Sequence, residues 1–187
     1  MSHNFQAGDV LAFSGRGCAS RIIRACTLGP ISHVGLVVND SKTGIHCLAE
    51  ALPTGFELTS IRKAMLKAAQ TGTRVWHYRL RRPLSAEASE ILFDLAAAME
   101  GVPYDFTDVL YARTLGFGWL RHFIGWLGFL EEYEDNHKLF CSEWVALAHN
   151  VLNRTKFQYP SHWSPTLLCR YETWTRVVFP GVEVEWP

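Results

Sequence analysis

The sequence predicts an α+β fold in which an antiparallel sheet packs with helices. Three observations predict it. Short β-branched or aromatic runs bounded by turn residues gather in the first half of the chain, helical periodicity is interleaved with them without a regular strand-helix alternation, and no repeat divides the chain. At 187 residues, with Pro and Gly scattered and never gathered into a linker, a single domain over 1–187 is expected.

The elements follow in order. DVLAF at 9–13 and HVGLVV at 33–38 read as strands, the second closed by an Asn-Asp turn signal. Between them 19–27 reads as a short helix stopped by Gly29-Pro30. Segments 45–52 and 73–80 are further strands, with a helix over 60–69 between them. Ser85 is a plausible N-cap and Glu87 lies in the first turn, where the helix dipole favours a carboxylate. Ile91, Leu92, Leu95, Ala96 and Met99 then recur at helical spacing, and Gly101 is placed to close the helix as C′. Another helix starts near Cys141, with Trp144, Val145, Ala148, Val151 and Leu152 as its stripe, and the tail offers closing strands at 176–179 and 182–186.

Eighteen basic residues balance eighteen acidic ones, so no global field recruits nucleic acid or an anionic membrane. Five cysteines are an odd number without CxxC spacing, which argues against a disulfide framework and a zinc knuckle. The histidines form no metal-ligand spacing either, and no cofactor is implied. The start of the chain lacks a basic segment followed by an apolar run, so export by that route is not indicated, and a reducing cytoplasmic setting is expected. The greasy stretch 115–130 is broken by Arg121 and His122 and falls short of the ~20 residues of a spanning helix.

Cys141 is the candidate nucleophile. A cysteine at a helix start meets unpaired backbone N–H groups and the positive end of the dipole, which favour a thiolate and could hold an oxyanion. The competing reading is a small buried apolar residue. A thiol nucleophile needs a base, and His33, opening an apolar strand after Ser32, is the best framed of eight histidines. It could equally be a strand-end histidine capping backbone groups. Glu50 is a lone carboxylate in LAEAL on the following strand, and a hairpin through 39–44 would bring it beside His33. Burial there is costly without a partner, and orienting the imidazole would supply one; an edge strand facing solvent is the alternative.

These segments resemble the circularly permuted NlpC-like branch of the papain superfamily, in particular YiiX-like proteins, with more distant kinship to lecithin retinol acyltransferase. The opening block from Gly8-Asp9 to Ser32-His33-Val34-Gly35, LAEAL, the Gly-Val-Pro-Tyr-Asp at 101–105, FCSEWV and the Pro-containing WSPTLL occur in the family's order. The resemblance implies a permuted papain-like fold and a thiol hydrolase with Cys141 as nucleophile, His33 as base and Glu50 as orienting residue, with Tyr104 and Ser142 as substrate-binding residues. It implies an acyl-enzyme cleaving a peptide or other amide, or transferring or hydrolysing a lipid or N-acyl group. A non-enzymatic binding module is the competing class. The stretch 107–138 is longer and greasier than the family pattern; it could be an apolar lid touching a membrane surface through 115–130, or a helical hairpin folded into the core.

Overall fold

The computed structural model describes residues 4–103, 141–152 and 163–177. Within them, six strands form one antiparallel sheet: β1 (Val10–Ser14), β2 (His33–Asn39), β3 (His46–Leu52), β4 (Gly55–Ser60), β5 (Arg74–Leu80) and β6 (Trp174–Val177), in spatial order β4-β3-β2-β1-β5-β6. Five helices accompany them: α1 (Cys18–Thr27), α2 (Ile61–Thr71), α3 (Ala86–Ala98), α4 (Cys141–Val151) and α5 (Pro165–Arg170).

Side chains alternate across the sheet, and the two faces carry separate cores. On one face Leu11, Phe13, Val37 and Leu48 meet Ile61, Ala64 and Ala68 of α2. On the other, Val10, Ala12, Val34, Leu36, Ala49 and Trp76 meet α3, α4 and α5 through Leu92, Ala96, Trp144, Val145, Ala148 and Leu168. The helix boundaries have local causes. Ser60, Ser85 and Ser164 each turn a side-chain oxygen onto a first-turn N–H, of Lys63, Ala88 and Leu167 respectively. Gly72 ends α2 at φ +61°, and its N–H returns to Ala68 and Ala69 carbonyls.

Most expected elements appear within a residue or two, the helix after Ser60 and the strand to Leu80 included. Two readings are corrected. Gly101 is not the C′ residue: α3 ends at Ala98 with Met99 as C-cap, and Gly101, at φ +85°, lies beyond it with its N–H on the Phe56 carbonyl. Strand β4 was not expected, and its existence makes β3 an interior strand, so Glu50 does not sit on an edge. Residues 178–187, with the second closing strand, lie outside the described residues.

A buried ionic knot fixes the start of β1. Asp9 is fully buried, and its carboxylate accepts from the N–H groups of Gln6 and Leu80 and lies 2.6 Å from His77 Nε2. It ties the chain entry to β5 at the end of the strand away from His33.

Candidate active site

His33 opens β2 and Glu50 lies on β3. Leu48 pairs with Val37, so by alternation His33, Gly35, Val37, Leu48 and Glu50 project on one face. Gly35, between His33 and Val37, leaves that face bare; a Cβ there would lie 2.8 Å from the Leu48 side chain. Glu50 reaches His33 with Oε2 2.8 Å from Nε2. The Glu50 residue is 7% exposed, so a carboxylate that would be expensive alone is partnered where it is buried. A cleft of about 180 Å³ opens beside the pair, bordered by Phe13, Ser32 and, from α2, Lys67 and Thr71.

Cys141 arrives from the other layer as the first residue of α4. The helix is seated by Trp144, which is fully buried with its ring centroid 4.8 Å from that of Phe56 in an edge-on contact. That seating brings Cys141 close enough to His33 for each to shift the other's ionisation. The backbone N–H groups of Val34 and Ser142 also favour its charged form. Val34 lies outside the β2–β3 ladder, which begins only at the Leu36–Ala49 pair, and its amide belongs to the site for that reason.

The electrostatics favour charge on both groups. Burial works against charge on Cys141, but the His33 imidazolium, their hydrogen bond and the two backbone donors together hold the thiol below its ordinary range. Burial likewise disfavours a charged His33, and the Cys141 thiolate and the Glu50 carboxylate overcome it, raising the imidazole to about 10. The neighbouring thiols behave oppositely. Burial, followed by the charge of Cys141, pushes Cys169 well up, and burial raises Cys47. Of the two buried thiols, Cys141 and Cys169, only the one beside His33 is lowered, so the partner and not depth sets the direction.

The remaining expected residues divide. Ser142 is fully buried, its hydroxyl has no hydrogen-bond partner among the described residues, and its N–H is the group that bears on Cys141. Tyr104 and the apolar stretch 107–138, including 115–130, lie outside the described residues. The amide of Val34 had no signal of its own in the sequence beyond following His33. Among the described residues, no group of three or more His, Cys, Asp or Glu side chains is placed to hold a metal, and no helix is long and apolar enough to cross a membrane.

A family model described as permuted papain-like amidase, the YaeF/YiiX or C92 family, matches residues 4–113, more than half of the chain. The chain belongs to this family. As a C92-family protein it is of the permuted papain-like amidase kind, a cysteine hydrolase in general terms, and a peptide or other amide is the substrate type this implies. The matched stretch of the C92 pattern holds His33 and Glu50 and ends ahead of Cys141. The fold extends further than that match. A crystal structure described as metalloprotein yiiX from Escherichia coli O157:H7 superimposes with a TM-score of 0.65 at 18% identity, over 97% of this chain and 98% of that one. No curated protein matches by sequence.

Proposed function

We propose that this C92-family chain cleaves an amide bond through a Cys141–His33–Glu50 triad and a thioester acyl-enzyme. The observation that carries the reading is the His33–Glu50 contact, 2.8 Å through Nε2, beside a Cys141 whose charge and hydrogen bonding raise the imidazole.

The resting site is then a thiolate and an imidazolium. The thiolate attacks the amide carbonyl carbon, and the backbone N–H of Cys141, at the helix start, receives the oxyanion. His33 passes its proton to the leaving nitrogen as the C–N bond breaks, leaving a thioester and a free amine. Neutral His33 next takes a proton from water, whose oxygen attacks the thioester; the carboxylic product leaves and the ion pair is restored. Glu50 holds the ring in one orientation and stabilises its charge throughout.

Cys141→Ala removes the step that forms the bond, so turnover of amide substrates and labelling by a thiol-reactive acyl probe both vanish, while Cys47→Ala and Cys169→Ala keep both. Equal labelling of all the cysteines would sink the triad. The pH profile of kcat/KM is a plateau. Its acid limb falls where the lowered Cys141 thiolate takes a proton, and its alkaline limb falls at about 10, where His33 loses the proton it must donate.

A further inference from the structure

A second hollow, about 330 Å³ in volume, opens on the α1 side of the sheet and is basic. Arg16 from the β1–α1 turn, Arg24 from α1 and Arg74 from the start of β5 all line it, and among the described residues no carboxylate does. In a chain whose charges balance overall, three guanidinium groups thus converge with no counter-charge among the described residues. None of the three forms an ion pair among the described residues. Arg24 is held by neutral acceptors, its Nη1 donating to Ser14 Oγ at 2.8 Å and to the Gly15 carbonyl at 2.5 Å. Arg16 rests over the bare face of Gly72, where a Cβ would lie 3.0 Å from its Cζ. Three like charges drawn together raise the free energy of the empty hollow, and a bound oxyanion offsets that cost with charge-assisted, fork-shaped hydrogen bonds.

The hollow adjoins the catalytic cleft. Gly15 lines both, and Phe13, just before Ser14 on β1, places its ring centroid 5.7 Å from that of His33. We propose that Arg16, Arg24 and Arg74 form a specificity site for an oxyanion, carboxylate or phosphate, carried by the amide substrate. The assignment to substrate rests on the amidase reading above; the anion site itself does not.

Binding is therefore measured apart from catalysis, on the Cys141→Ala chain, by calorimetric titration with inorganic phosphate in one arm and glutarate in the other. Saturable one-to-one binding is expected for at least one of them, weakened roughly ten-fold or more in the Arg16→Gln/Arg74→Gln double variant, whose melting curve checks that it is folded. The arm that binds more tightly names the group. In the chain with Cys141 intact, the same double variant is expected to lower the kcat/KM ratio of an anion-bearing amide to its neutral counterpart by a similar factor. Absence of saturable binding in both arms, or equal affinity in the folded double variant, overturns the site. Anion binding that behaves as expected while no amide is cleaved upholds the site and overturns the amidase reading.

Discussion

At the scale of single residues, His33 is shared between two partners of different kinds. In the proposed triad the thiolate supplies the opposite charge, and Glu50 supplies charge and orientation through a contact of 2.8 Å. Both raise the imidazole against the burial that would lower it. In Glu50→Gln the hydrogen bond can persist but the negative charge is gone, so the His33 pKa falls and the alkaline limb of the pH profile moves below about 10. The rate drops as well, by up to ~10⁴-fold if the amide also selects the wrong tautomer. NMR titration of the ring with the rate profile checks both; an alkaline limb left in place would remove Glu50 from the charge balance. Residue identities were the most legible part of the site. Cys141 before an apolar helix, His33 opening a strand and Glu50 alone in an apolar run were visible because each violates its local pattern. The Val34 amide was not, since every residue but proline carries one and only the end of a ladder reveals which is unspoken for.

At the scale of elements, the strands and helices with strong periodicity were read well, and the misses have physical reasons. β4 carries Glu57 and Thr59 and follows the Pro53-Thr54 turn, so its local pattern reads as a loop; its pairing with β3 from Leu52–Gly55 to Cys47–Ser60 is what makes it a strand. The Arg hollow was likewise invisible, because its three cations come from segments that only the fold brings together. A similar long-range fit joins the turn after α1 to α5. Gly29 faces Thr166 so closely that a Cβ would lie 2.1 Å from its Oγ1, and the Thr166 hydroxyl accepts the Ile31 N–H at 3.4 Å. Gly29→Ala is expected to destabilise the chain by about 1–3 kcal/mol, as overpacking does. Adding Thr166→Ala should recover part of that loss in urea denaturation, whereas strictly additive losses would show that the contact is not the cause.

At the scale of the whole molecule, one sheet keeps two cores apart and the proposed catalytic groups meet where the layers come together. His33 and Glu50 project on the face that α2 covers, while Cys141 comes with α4 from the opposite layer. The placement of the proposed nucleophile is therefore a packing outcome. Trp144, fully buried against Phe56, is its main anchor. Trp144→Ala should cost about 3–5 kcal/mol of stability and, in the fraction still folded, slow acyl-probe labelling of Cys141 as the sulfur shifts from His33. Destabilisation with the labelling rate of the folded fraction unchanged would show that other contacts seat the helix. The sequence stripe of α4 announced this packing in outline, with Trp144, Val145 and Ala148 buried; Val151, at 48% exposure, turns out to face away.

The order of these groups along the chain has a further consequence during biosynthesis. His33 and Glu50 lie on neighbouring strands joined by a short turn, so the proposed base and orienting carboxylate leave the ribosome almost together and can pair at once. The thiol emerges far later, and its activation waits for α4 to dock. Until then the nascent polypeptide holds a poised imidazole with nothing to deprotonate. With Cys141 as the proposed nucleophile, a growing chain built in this order carries no such activated thiol to turn on its own amide bonds or on those of its neighbours.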